Sequence, residues 1–402
     1  MKKTIKDIDL KGKKVLVRVD FNVPLKDGVV KDDNRVREAI PTIKYLINEG
    51  AKVVLCSHLG KVDHKDPVKC EENKKKNDMK FVAPVLEKLL GQTVYYVDEV
   101  YGEEVDSTLA NLKNGEVMLL QNTRYEKGES KNDEALAKNM AKNIDVFVMD
   151  AFGSAHRAHS STYGVPELLN KERKETAIGF LMEKEIEALS KCVEANEHPY
   201  VAVLGGAKVS DKINVIEGLL KKADKIIIGG AMAYTFLKAK GVEVGKSLVE
   251  EEQLDFAKSC LAKAKGKIIL PIDHITSFDI DSDECIPTIN ENIPELFLGL
   301  DIGPKTRAYF ESELGNAKIV FWNGPMGVFE KEQYAEGTRK VCESIANLKG
   351  AFSVIGGGDS ASAAKQLGFK EKFSHVSTGG GASLEMIEND GKLPGIEIIQ
   401  NK

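Results

Sequence analysis

Short apolar runs rich in Val and Ile recur along the whole chain, each followed by a turn and an amphipathic stretch. No other feature limits the fold so much. In the first half the runs are 14–19 (KVLVRV), 52–56 (KVVLC), 93–97 (TVYYV), 116–120 (EVMLL) and 145–149 (DVFVM). In the second half they are 200–204, 225–228, 267–270, 318–322, 352–355 and 375–377. Most are apolar at alternating and intervening positions alike, as in strands of a parallel sheet covered on both faces. Stretches such as 212–223 lie between them, with Ile213, Ile216, Leu219 and Leu220 on one helical face. Repeated βα units of this kind predict an α/β chain of two doubly wound, parallel-sheet, Rossmann-like domains joined by a hinge. The length of 402 residues agrees, since one core does not grow that large.

The first domain is expected over 1–180 and the second over 181–389. Residues 164–180 show no clear strand, and a strong helix pattern follows at 181–195, so the division is set near 175–185. Residues 63–80 read as a charged, Pro-containing loop whose lysines are solvated surface.

Several function classes are excluded early. Lys and Arg total 57 against 62 Asp and Glu, a net charge of -5. Nucleic-acid binding needs a net basic face, so no nucleic-acid partner is expected. No apolar run approaches the roughly 18–20 residues of a membrane span, and the N-terminus has no signal-peptide pattern. The six cysteines are scattered and never form CxxC, which suits free thiols in a reducing compartment. A cytoplasmic protein with no membrane partner is the expectation.

In open α/β sheets ligands bind outside the carboxyl ends of the strands. Those ends carry Asp20, Asn22, His58, Lys61, Arg124, Asp150, His156 and Arg157 in the first half. Arginine occurs at only eight positions in the chain (18, 35, 37, 124, 157, 173, 307 and 339), and lysine supplies the rest of the cations. Arg35, Arg124 and Arg157 fall in one candidate set with His58 and Lys61. The planar guanidinium holds phosphate or carboxylate bidentately, which lysine cannot do. A small, multiply charged anion is the natural ligand. His156 and His159 lack an obvious third ligand and do not make a metal site. Trp322 reads as core.

The second half presents bare backbone instead. Its strand ends are Gly205-Gly206, Gly229-Gly230, Asn323-Gly324, Gly356–Gly358 and Gly379–Gly381. Any one pair is an ordinary tight turn. Five together, ahead of helices, suit a nucleotide or another polyphosphate, because N–H groups and helix N-termini attract negative charge. The stretch 241–247 (GVEVGKS) resembles a P-loop but is one residue short, and no GxGxxG is present. Lys208 and Lys212 follow Gly205-Gly206. With Ser210 as the N-cap, Lys212 falls in a first helical turn, where a cation opposes the helix dipole unless an anion lies there. Asp359-Ser360 is either a helix cap or a Mg²⁺ site.

These residues resemble the phosphoglycerate kinase family. The stretches are 18–24 (RVDFNVP), 57–60 (SHLG), 150–159 (DAFGSAHRAH), 205–212 (GGAKVSDK), 299–304 (GLDIGP), 322–330 (WNGPMGVFE), 356–360 (GGGDS) and 378–383 (TGGGAS). They occur in the family's order and span nearly the whole chain. The resemblance implies reversible phosphoryl transfer between 1,3-bisphosphoglycerate and ADP, giving 3-phosphoglycerate and ATP with Mg²⁺. It places the phosphoglycerate at Asp20, Phe21, Asn22, Arg35, His58, Leu59, Gly60, Lys61, Arg124 and Arg157. It places the nucleotide at Lys212, Gly299, Glu330, Gly357, Gly358, Asp359 and Ser360, with Glu330 on the ribose and Asp359 on the metal. Arg35, Lys208, Gly380 and Gly381 would surround the transferring phosphoryl group. It also implies a monomer whose segment 390–402 packs back on the first domain.

The chain departs from the family at Lys61-Val62, where Arg-Pro is usual, and at Ser154, where Thr is usual. Lysine at 61 keeps the charge and loses the fork. The acceptor carboxylate is already ionised at neutral pH, so the chemistry needs no general base and reduces to positioning and charge neutralisation. Two other classes fit the architecture: a non-catalytic anion receptor and an NAD-linked dehydrogenase. The former has no use for Lys208, Lys212 and the glycine turns; the latter lacks its glycine fingerprint.

Overall fold

The computed structural model describes residues 1–402. The chain divides into two compact units, Met1–Ile186 with Lys392–Lys402, and Glu187–Gly391. The helix Phe180–Glu194 contains the first crossing point.

The first unit is built on six parallel strands. They are β1 (Lys14–Val19), β2 (Lys52–Cys56), β3 (Val94–Tyr96), β4 (Val117–Leu119), β5 (Val146–Asp150) and β6 (Glu175–Ile178), in the order β3-β4-β2-β1-β5-β6. Val15, Val17, Val53, Leu55, Val117, Leu119 and Val148 share one core with Val36, Ala39, Ile43 and Leu46 of the helix Asn34–Asn48. Those four recur at intervals of three and four, the period of one helix face. Burying Val36, Ile43 and Leu46 contributes about 5–9 kcal/mol as an upper estimate. Leu16, Val54, Met118 and Phe147 are also buried, on the alternate positions, so both faces of the sheet are covered. That is the arrangement the unbroken apolar runs predict.

Strand β6 contradicts the expectation of no strand in 164–180. It is short, opens on Glu175 and Thr176, and pairs with β5 alone among the sheet strands, so it lacks the apolar run of a central strand. The expected loop at 63–80 is also corrected, because Pro67–Lys76 is a helix. The Asp66 carboxylate caps it, accepting from Val68 and Lys69 N–H groups, and Pro67 sits at its first position. None of its residues is buried, so it leaves no apolar period in the sequence. Residues 392–402 are tied to the first unit by backbone. Lys3 N–H donates to Gln400 O at 2.8 Å, and Gly395 N–H to Ala155 O at 2.8 Å.

The second unit holds a six-stranded parallel sheet and a small antiparallel one. Its strands are β7 (Tyr200–Leu204), β8 (Lys225–Ile228), β9 (Ile268–Ile269), β10 (His274–Ser277), β11 (Ile286–Pro287), β12 (Leu298–Ile302), β13 (Ile319–Asn323), β14 (Phe352–Ile355) and β15 (His375–Val376). The parallel order is β9-β8-β7-β13-β14-β15, and the antiparallel order is β11-β10-β12. Trp322, on β13, is fully buried in the core beneath the parallel sheet. The antiparallel strands β10 and β12 were not foreseen. Strand β10 (HITS) is buried yet polar, and each polar side chain finds a local carbonyl acceptor, with His274 Nδ1 left without a partner. His274 Nε2 donates to Glu291 O, Thr276 Oγ1 to Ile286 O and Ser277 Oγ to Glu284 O. A strand of that composition does not read as an apolar run.

Candidate functional site

The carboxyl ends of β1, β2, β4 and β5 bring His58, Lys61, Arg124 and Arg157 together in the first unit. A cavity of about 470 Å³ is lined by Arg18, Asn22, His58, Lys61, Arg124, Arg157 and His159, with Glu126 and Glu129 as its carboxylates, while Arg35 and Asp20 are not on the cavity wall. Lys61, the departure from the family pattern, is therefore on the cavity wall.

Each side chain is held from the backbone upward. Asn122 Oδ1 accepts from Arg124 N–H and Leu59 N–H, each at 3.0 Å, which joins the loop after β4 to the loop after β2. Arg124 Nη1 then donates to Gly60 O at 2.6 Å. Asn22 Oδ1 accepts from Gly60 N–H at 2.8 Å. Gly60 has a φ of +61°, and a Cβ there would collide with Asn77, so glycine is required. Asp20 is buried; it accepts from Asn22 N–H and pairs with the Arg35 guanidinium, which is presented by the first turn of the helix Asn34–Asn48. Arg157 is exposed and donates through Nε to His156 Nε2 at 3.1 Å.

The electrostatics point to an anion. Burial, then Arg18 and Arg157, pull the Arg124 pKa below its usual value. Burial and then Arg18 and Arg124 hold His58 well below the ordinary histidine range, and His159 down to about 4. Both rings are therefore neutral at physiological pH. The clustered cations, only partly offset by Glu129 and Asp20, favour a bound anion.

Phe21 and Leu59, expected at the substrate, are fully buried core side chains. Their N–H groups are already given to Ser57 Oγ and Asn122 Oδ1. The structure does not bring either side chain to the cavity.

In the second unit the strand ends meet as backbone. Gly206 N–H donates to Pro325 O and Gly230 N–H to Met326 O, each at 3.0 Å. Gly230 has a φ of +67°, and a Cβ there would lie 2.6 Å from Gly206 N. Lys212 donates to Asn323 Oδ1, and Asn323 Nδ2 donates to Gly356 O, so one chain of bonds joins the ends of β7, β13 and β14. Burial pulls the Lys212 amine down to about 8, against the opposing charges of Asp211 and Asp359.

The expected N-cap at Ser210 is not formed. The helix begins at Ile213, with Lys212 itself at the cap position. Ser210 instead donates to Glu250 Oε1 at 2.5 Å, and Glu250 also accepts from the N–H groups of 209 and 210. The cap reading of Asp359 fails as well. Gly357 occupies that position in front of the helix Gly358–Gln366, and Asp359 is exposed in the first turn. Ser360 is fully buried, and its Oγ accepts from Gly324 N–H at 2.8 Å.

Gly380 opens the helix Gly380–Glu388, and a Cβ on it would lie 2.9 Å from Gly357 Cα. Two helix N-termini thus lie side by side, a strong field for an anion. Gly299, on β12, donates its N–H to Ser247 Oγ at 2.9 Å, which gives the P-loop-like stretch a structural role. Glu330 and Lys208 are solvent-exposed. No group of three or more His, Cys, Asp or Glu is placed to hold a metal ion. Asp359 beside two helix starts still fits Mg²⁺, which is held by one or two carboxylates together with phosphate oxygens.

The sequence reading gave no site role to Arg18, Glu126 or Glu129, and took Asn323 only as a strand-end turn. Arg18 lines the cavity from inside β1, and Asn323 aims Lys212. A signal for the first was present: an arginine within the apolar run KVLVRV has to find buried partners.

Known proteins resemble the chain over its whole length. Residues 5–390 match the family model described as phosphoglycerate kinase. The chain is 54% identical to a phosphoglycerate kinase of Fusobacterium nucleatum and 55% identical to one of Enterococcus faecalis, each over 100% of both chains. Among solved structures, phosphoglycerate kinase from Coxiella burnetii superposes with a TM-score of 0.86 at 38% identity, covering 99% of this chain and 98% of the other. That from Pyrococcus horikoshii gives 0.84 at 35% identity, covering 98% of each.

Proposed function

The chain belongs to the phosphoglycerate kinase family, and from that premise we propose how its residues share the reaction. The enzyme transfers a phosphoryl group between a nucleotide and the carboxyl group of 3-phosphoglycerate, a glycolytic step.

The first unit takes the phosphoglycerate. The observation that carries this reading is the cavity itself: Arg18, Lys61, Arg124 and Arg157 face one small volume in which His58 and His159 stay neutral. A phosphate and a carboxylate on a three-carbon skeleton match it in size and charge. Asp20 holds Arg35 ready beside it. The second unit takes ADP or ATP. Backbone N–H groups of Gly357 and Gly358, Lys212 and the two helix starts supply positive field for the phosphates, and exposed Glu330 takes the ribose. Asp359 would hold Mg²⁺, which supplies charge neutralisation on the phosphate oxygens when bound.

No residue is needed as a base, because the acceptor oxygen is already anionic. Arg35, Lys208 and the N–H groups at Gly380 and Gly381 neutralise the charge spread over the phosphoryl oxygens in transfer. The cytosol is supported by the six unpaired cysteines. No helix is long and apolar enough to cross a membrane.

A coupled assay with ATP and 3-phosphoglycerate, with and without Mg²⁺, tests the reading. ADP should form only when both substrates and the metal are present. Equal turnover without divalent metal removes Asp359 from its role, and no turnover by the folded protein overturns the whole assignment.

A further inference from the structure

Arg18 lies inside β1 and is 1% exposed. A guanidinium stays charged in a protein, so burial drives its N–H groups toward acceptors. Nε donates to Ser161 Oγ at 2.8 Å and Nη1 to Val19 O at 2.6 Å. Ser161 is itself fixed: its hydroxyl donates to Glu129 Oε1, and its N–H to Glu129 Oε2 at 3.0 Å. Glu129 is 1% exposed, so the support behind Arg18 is buried throughout. The remaining nitrogen, Nη2, lies 3.1 Å from His58 Nδ1.

Arginine can only donate. Nδ1 is therefore the acceptor, and an imidazole that accepts at Nδ1 is neutral with its proton on Nε2. The ring state follows from its partner and not from an assigned hydrogen.

We propose that Arg18 is a positioning residue for phosphoglycerate: it fixes His58 as the Nε2–H tautomer, so that the ring offers the substrate one donor in a set orientation. The proposal rests on the assignment of His58 to the phosphoglycerate site. The groups that act most strongly on the ring work in the same sense. Besides burial, the largest cause, Arg18, Arg124, Arg35 and His159 all oppose its protonation. Of the nearby carboxylates, Asp20 is paired with Arg35, Glu129 is committed to Ser161, and Glu126 is also on the cavity wall. The consequence is a donor whose pattern does not change as pH crosses the ordinary histidine range.

Two-bond ¹H–¹⁵N spectra of the ¹⁵N-histidine-labelled wild-type protein test this without any variant. Between about pH 5.5 and 8 the His58 ring should stay in the Nε2–H form without titrating, and its signals should move when 3-phosphoglycerate is added. In Arg18→Met the ring should become a tautomer mixture that titrates. KM for 3-phosphoglycerate should then rise about tenfold and acquire a pH dependence absent from the wild type, with KM for ATP unchanged. Arg18→Lys keeps a donor and should recover part of the loss. A wild-type ring protonated on Nδ1, or charged at neutral pH, overturns the proposal. So does a folded Arg18→Met whose ring is unchanged. A ring in the predicted form that ignores 3-phosphoglycerate supports the tautomer and overturns the link to substrate, which separates the two claims.

Discussion

Lys212 gives the nucleotide site a proton linkage that can be measured directly. Burial lowers its amine to about 8 in the free protein. A bound di- or triphosphate places negative charge beside it and returns its pKa toward or above 10.5. Nucleotide binding should then take up a proton, to an extent set by the fraction of Lys212 that is neutral beforehand. With a free-state pKa near 8, that is about 0.1 proton at pH 7, about 0.5 at pH 8 and about 0.9 at pH 9. Calorimetric titration with MgADP in buffers of different ionisation enthalpy reads the number. Lys212→Met should abolish the uptake and weaken binding.

The variant should fold, because two effects nearly cancel. A lysine whose pKa is lower in the folded than in the unfolded chain destabilises the fold while it is charged. That penalty is present in full below pH 8 and fades as pH rises toward 10.5, so removing the amine at neutral pH returns about 3 kcal/mol. Against this, Asn323 Oδ1 loses its donor, at a cost of about 1–3 kcal/mol. A proton uptake that stays flat from pH 7 to 9, or that survives in Lys212→Met, refutes the placement of Lys212 against the phosphates.

Other expectations follow from the same sites. Arg35→Ala should lower kcat by about 10³-fold in a steady-state assay, the scale of a lost charge-stabilising group; an unchanged kcat in a folded variant removes Arg35 from the transfer step. Lys61 lies on the cavity wall, so Lys61→Arg should change KM for 3-phosphoglycerate, and an unaltered KM would return Lys61 to the solvated surface. Asp359→Asn should raise the Mg²⁺ concentration needed for half-maximal rate, and an identical metal titration would leave Asp359 a first-turn surface residue.

How far the sequence foretold the molecule depended on how each residue pays its burial cost. Strands buried on both faces are written in Val and Ile and were legible, as β1, β2 and β7 show. Strand β10 was not, because it satisfies buried His274, Thr276 and Ser277 with nearby carbonyls that no local pattern announces. The helix Pro67–Lys76 was hidden for the opposite reason, since it buries nothing. The gathering of His58, Lys61, Arg124 and Arg157 around one cavity was legible because the architecture says where to look. Arg18 meets His58 and Asn323 meets Lys212 across the sheet, and long-range partners of that kind lie beyond any sequence period. The attachment of Lys392–Lys402 to the first unit rests on contacts with residues more than two hundred positions away, among them Gln400 Nε2 donating to Lys174 O at 2.8 Å. Only the family resemblance could have announced it.

The central claim is that the first unit reads phosphoglycerate and the second reads nucleotide. Full KM determinations for both substrates on Arg157→Met and Lys212→Met test it most directly. The account predicts that Arg157→Met raises KM for 3-phosphoglycerate and leaves KM for ATP within error, and that Lys212→Met does the reverse. If each variant instead raises the KM of the other substrate, the division of labour proposed here is wrong.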